Sequence, residues 1–156
     1  MAFELTSPSF AHGGEIPSRH TCEGPDLSPE LRWSGAPAAT KSFALIVDDP
    51  DARRERPFVH WLLYKIPHGH RSIPAGSTGT GIEGRNDFGR TGYGGPQPPP
   101  GHGVHRYRFR LYALDREIGL APGATREELE AQMRGHVLEE GELVGTYERE
   151  ARASAG

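Results

Sequence analysis

Apolar and polar positions follow a two-residue period through much of this chain. "SFALIVDD" (42–49) and "FVHWLLYKI" (58–66) are apolar runs of strand-forming residues, and "HRYRFRLYALD" (105–115) alternates cleanly. "ELVGTYER" (142–149) alternates more weakly, and "FELTS" (3–7) and "LRWSG" (31–35) are short candidates. Such runs between Gly, Pro and Asp clusters predict β-strands. One helix stands out. Thr125 is placed to cap it, with Glu128 as its capping-box partner, and Leu129, Met133 and Val137 form one stripe. Gly135 weakens its end and Gly141 is the predicted stop. The pattern predicts a mainly β fold: an antiparallel β-sandwich with a few peripheral helices.

The segment from Pro67 to Val104 breaks this rhythm, because nearly half of it is Gly or Pro. Structureless connections of that length are uncommon in compact domains and are usually functional or disordered. Ile73, Ile82, Phe88 and Tyr93 offer it apolar anchors, which a disordered linker does not need.

Parity then turns polar residues inward. In 105–115, His105 and Tyr107 share a face with Phe109, Leu111 and Ala113. Arg106, Arg108 and Arg110 occupy the other face, which must meet solvent or a partner. Residues 58–66 are apolar on both faces, so that strand reads as central and His60 as buried. On the same parity His60 shares its face with Phe58, Leu62, Tyr64 and Ile66. Asp49 shares parity with Phe43, Leu45 and Val47, whereas Asp48 and Asp51 read as pointing away or capping the turn at Pro50. A carboxylate and two imidazoles on core faces are costly unless each finds a partner. Their meeting beside a long Gly/Pro loop predicts a small polar cavity.

Composition narrows the chemistry. The 156 residues suit one domain, 1–156. A net charge of −3 argues against general nucleic-acid binding. The single cysteine, Cys22, allows no intrachain disulfide and fits a reducing cytoplasm. "MAFELTSPSF" does not read as a signal peptide, and no apolar run is long enough for a membrane helix. His60, His102, His105 and Asp49 could supply ligands to a divalent ion, but neither H-x-H on a strand nor H-E-x-x-H occurs. There is no G-x-S-x-G.

"DDPDA", "FVHW" and "GRNDFGRTGYGGPQPPPGHGVHRYRFRLYALD" together resemble the phosphatidylethanolamine-binding protein family, also called the Raf kinase inhibitor protein family, in its short bacterial and archaeal branch. "LSPELRWSGAP" (27–37) resembles the family's early strand. The resemblance implies a Greek-key β-sandwich with a pocket for phosphate or a phospholipid headgroup. By motif position it places Asp49, His60, Pro98, Pro99, Gly101, His105 and Tyr107 around that pocket, with Phe58 at the rim. It also implies a cis peptide near Arg56–Pro57. Two features depart from the family pattern. Arg53 stands where many relatives have proline, which would reshape the pocket mouth, and the longer animal proteins carry a C-terminal helix that this sequence lacks.

These readings rank the functions. First comes a cytoplasmic, non-enzymatic binding protein for a small phosphate-type anion, with no metal and no cofactor. In that reading His105 and loop N–H groups donate to the anion and Asp49 accepts from its protonated oxygen. Tyr107 and His60 complete the polar floor. Pro98 to Pro100 shape the wall without donating. Second is a modulator of a kinase, protease or other enzyme. Third is a hydrolase or metalloenzyme using His60, His105 and Asp49. A homodimer is compatible with the sequence; a nucleic-acid partner and a membrane span are not expected.

Overall fold

The computed structural model describes residues 2–52 and 54–150. Two antiparallel sheets face each other. The smaller contains β1 (Glu4–Thr6), β2 (Leu31–Ser34) and β5 (Ser72–Ile73) in the order β1-β2-β5. The larger contains β3 (Ser42–Asp49), β4 (Phe58–Pro67), β6 (Ile82–Glu83), β7 (His105–Leu114) and β8 (Val137–Tyr147), in the order β6-β4-β3-β7-β8. In chain order β3, β4 and β6 lie side by side and β7 returns beside β3, which is the strand order of a Greek key.

The main core lies between the sheets. Leu5, Leu31, Trp33 and Ile73 of the smaller sheet meet Phe43, Leu45, Val47, Phe109, Leu111 and Leu143 of the larger. A second core lies on the outer face of the large sheet, where Ala44, Ile46, Leu62 and Tyr64 pack under Leu129 and Met133 of α1 (Arg126–Met133). This is why β3 is buried along its whole length. Each large apolar side chain so buried contributes roughly 1.5–3 kcal/mol.

The helix begins as expected, with Thr125 Oγ1 accepting from the Glu128 N–H and the Glu128 carboxylate accepting from the Thr125 N–H. It ends earlier. Gly135 takes a φ of +80°, which turns the chain away, so Val137 opens β8 and is exposed. Gly141 is therefore not a helix stop but a strand residue against Leu5. The only other helical element among the described residues is a 3-10 turn at Ser18–His20. The described peptides contain no cis bond, so Arg56–Pro57 is trans, the isomer favoured by about 0.5–1 kcal/mol at X–Pro bonds. Arg53 and residues 151–156, where the departures from the family pattern were noted, lie outside the described residues.

Strict alternation fails in β4. Val47 pairs with Trp61 and Asp48 with Val59, so one step on β3 matches two on β4 and His60 is the extra residue of a β-bulge. A second bulge near Lys65, whose φ is +56°, restores the count. Between them Leu62 and Tyr64 face the helix, while Trp61 and Leu63 join the inter-sheet core. His60 thus does not share its face with Leu62 and Tyr64. The bulge aims it to the inter-sheet side, against the Tyr107 ring.

The arginine face of β7 meets both solvent, at Arg106, and a partner, at Arg108 and Arg110. Asp48 is fully buried on the helix side and receives Arg108 Nε at 2.8 Å, Arg110 Nη2 at 3.1 Å and Arg126 Nη2 at 2.7 Å. Burial alone would raise its pKa. The Arg108 hydrogen bond and the charges of Arg126 and Arg110 outweigh that and hold it below the ordinary value. The arginines are therefore partly covered, and Asp48 ties α1 to the sheet. Asp51 pairs with Arg106 through that residue's N–H and guanidinium.

Candidate functional site

A cavity of about 490 Å³ opens at the end of the sandwich where β3 finishes and β7 begins. Its wall includes Asp49, Phe58, His60, Pro98, Pro99, His105 and Tyr107, seven of the eight residues expected there. Gly101 is not part of that wall. It is exposed, with a φ of +75°, and its N–H donates to the Arg149 carbonyl.

Asp49 is held by its own turn. Its Oδ1 accepts from the N–H groups of Asp51 (2.7 Å) and Ala52 (3.1 Å), so it is Asp49, not Asp48, that caps the turn at Pro50. Its Oδ2 lies 2.6 Å from His105 Nδ1. Both residues are 3% exposed, so this pair is shielded from water. An ionised carboxylate only accepts, which places a proton on His105 Nδ1. His105 Nε2 in turn lies 2.6 Å from His102 Nδ1, giving a continuous Asp49–His105–His102 chain.

His60 sits across the cavity. Its Nδ1 is 2.6 Å from the Gly94 carbonyl, which can only accept, so Nδ1 carries the proton. Burial lowers its pKa and outweighs the carbonyl bond, so the ring is held neutral with Nε2 as an acceptor. The Tyr107 hydroxyl is buried and has no hydrogen-bond partner among the described residues. Burial, with the Asp49 charge second, pushes its pKa well up, so it remains a donor.

Aromatic rings form the mouth. Phe58 and Phe88 meet edge to face at 4.8 Å. Arg54 lies over Phe58 at 5.0 Å and Arg90 over Phe88 at 5.6 Å, placing two cations on the outer side of the rim. Asp87, also in the wall, accepts from the Val59 N–H and lies 3.5 Å from Arg54.

The long segment 67–104 is anchored at many points. Ile73 is fully buried, Tyr93 Oη donates to the His20 carbonyl, and the Gly95 N–H donates to Asp26. Buried Asn86 organises the next turn: its Oδ1 accepts from the N–H groups of Phe88 and Arg90, and its amide donates to the Gly92 carbonyl. That turn brings Phe88 to the cavity. Arg149 Nε donates to the Pro98 carbonyl and holds the Pro wall. The N–H groups of Gly101 and His102 donate to Arg149 and Pro99 carbonyls, so these loop amides serve the loop itself.

Five further wall residues are Ala52, Asp87, Phe88, Gln97 and His102. His102 had been weighed only as a metal ligand and Phe88 only as an apolar anchor. Both lie in loop backbone, where parity says nothing. The "ND" of "GRNDFG" carried a usable signal, since Asn and Asp side chains organise turns locally. Among the described residues no group of three or more His, Cys, Asp or Glu is arranged to hold a metal ion.

Residues 6–148 match the family model described as phosphatidylethanolamine-binding protein. The chain belongs to the phosphatidylethanolamine-binding protein family. A UPF0098 protein of Pyrococcus abyssi is 50% identical, over 94% of this chain and 86% of that protein. Another UPF0098 protein, from Aquifex aeolicus, is 48% identical over 94% of this chain and 89% of its own length. Among solved structures, a phosphatidylethanolamine-binding protein homologue from Chlamydia trachomatis superposes with a TM-score of 0.89 at 37% identity, covering 96% of this chain and 99% of that one. Escherichia coli YbcL, described as a member of the mammalian family, gives 0.88 at 32% identity, covering 95% and 99%. The fold is thus that of the bacterial members of the family.

Proposed function

We propose that the cavity binds a small monoprotonated phosphate-type anion: phosphate itself or a phosphomonoester group. The observation that carries this reading is the buried Tyr107 hydroxyl, with no partner among the described residues, beside the buried Asp49–His105 pair. A buried polar group without a partner costs roughly 1–3 kcal/mol, and an anion offers it an acceptor. His105 turns its Nδ1 to Asp49 Oδ2 and its other nitrogen, Nε2, to His102, both residues of the cavity wall. Neutral His60 has an Nε2 lone pair for the O–H of the monoprotonated anion. The Tyr107 donor and the His60 acceptor suit such an anion, while Phe58, Phe88, Pro98 and Pro99 surround it with low-dielectric walls.

This is a binding reading, without a chemical step. Titration calorimetry with inorganic phosphate tests it. Wild type binds with one-to-one stoichiometry, and Asp49→Ala and His105→Ala, still folded, do not. Binding by both variants at wild-type strength would place the anion elsewhere.

A further inference from the structure

His102 has no role in the anion reading, yet it makes the contact that most affects it. Both ring nitrogens of His105 are engaged by protein: Nδ1 with Asp49 Oδ2 and Nε2 with His102 Nδ1, each at 2.6 Å. A nitrogen carries one proton in one direction. While His102 holds His105 Nε2, that nitrogen cannot also donate a full hydrogen bond to a ligand. His102 is itself a wall residue of the cavity.

We infer that His102 is a gate and specificity residue of the anion pocket: it occupies His105 Nε2 until an entering anion displaces it. The inference rests on the anion reading above. His102 lies between Gly101 and Gly103, with φ of +75° and +90°, both in the region that glycine enters without strain. A Cβ added at Gly103 would meet nothing within 4 Å, so there is open space beside His102. The two rings are tilted at 46° rather than stacked, and the hydrogen bond between them is the contact to be exchanged at His105 Nε2. His105 stays in place during the exchange, because Asp49 and the β7–β8 pairing at Tyr147 fix it.

The exchange selects by charge. A hydrogen bond in which one partner is ionised, here the anion, is about twice as strong as one between neutral groups. An anion therefore outcompetes the His102 nitrogen, whereas a neutral alcohol or amide gains little by replacing it. Removing the gate raises affinity by the inverse of the fraction of molecules in which the site is open. One net hydrogen bond supports a gain of about three- to tenfold.

The test compares wild type with His102→Ala and with His102→Ser, whose side chain is too short to reach His105. Calorimetry with inorganic phosphate at one fixed pH is expected to show both variants binding about three- to tenfold tighter. In wild type, phosphate is expected to shift the His102 ring ¹⁵N resonances in step with saturation. Unchanged or weaker binding by both variants, or an unmoved His102 ring, overturns the gate. A loss of binding would mean that His102 itself holds the anion. If wild type and both variants all ignore phosphate, the anion reading falls and the gate with it, a result distinct from wild-type binding without tightening.

Discussion

Asp48 and Asp49 are adjacent in β3, both buried, and face opposite sides of the large sheet. Asp48 anchors Arg108, Arg110 and Arg126 beneath α1, and Asp49 anchors His105 in the cavity. One carboxylate ties the helix to the sheet and the next organises the site, so their variants should separate stability from binding. Asp48→Asn leaves three covered arginines short of countercharge and is expected to cost about 3 kcal/mol. Its phosphate affinity should stay within about twofold of wild type, as separate sites behave nearly additively. Asp49→Ala is expected to cost about 1–3 kcal/mol and to abolish binding. Urea unfolding and calorimetry read both. Lost binding in folded Asp48→Asn would show that the two faces are coupled.

Tyr107→Phe should make the protein more stable and a poorer binder. The hydroxyl it removes is buried without a partner, so its loss relieves a penalty of about 1 kcal/mol or more. The same change removes one donor to the anion, worth about 1.5–3 kcal/mol for a charged acceptor. A raised midpoint of unfolding with weakened phosphate binding is the expected pair of results. A destabilised variant would mean that the hydroxyl has a partner in solution.

Acid should destabilise the fold from about pH 6.5 downward, where an unperturbed histidine begins to take up a proton. Burial lowers the pKa of both His20 and His60. Above the unfolded value both states are neutral and stability is full. Below it the unfolded chain binds protons that the folded chain refuses, so stability falls until each folded pKa is reached. Each such histidine contributes a slope of up to about 1.4 kcal/mol per pH unit. Denaturant unfolding between pH 8 and pH 5 measures it, and His60→Asn, which keeps a donor for Gly94, should make the slope shallower. An unchanged slope would remove His60 from the acid response.

Gly95→Ala should disrupt the cavity from a distance. A Cβ there would stand 2.2 Å from both Asp26 Oδ1 and the His20 carbonyl oxygen, and one of these is backbone. Overpacking of this kind costs roughly 1–3 kcal/mol. Thermal unfolding and hydrogen exchange of residues 93–104 check it. A neutral result would show that this crossing gives way more easily than its packing implies.

The six longer strands, the helix start and the inward side chains of His105, Tyr107 and Asp49 were legible because each depends on local period or capping, whereas the two-residue strands β5 and β6 and the start of β8 were not. Both faces of β3 and the inward face of β7 keep strict alternation, and "T-x-x-E" closes its own capping box. Such patterns survive folding because neighbouring residues enforce them. The family motifs added Pro98, Pro99 and Phe58, and these do line the cavity.

What tertiary structure alone decided depends on partners distant in sequence. The register of β3 against β4 makes His60 a bulge, and no period within β4 reveals that. Asp48 read as pointing away or capping the turn; that Arg108, Arg110 and Arg126 would converge on it across two other elements is written nowhere in β3. His102 meets His105 because the loop closes on β7 in three dimensions. Sequence by itself determined that Asp49, His60 and His105 would be buried and polar, but not that Asp48, Asn86 or His20 would be. Only the packing of the sheets and loop determined which nitrogen meets which oxygen, because hydrogen bonds act over a few ångströms and those positions are set last.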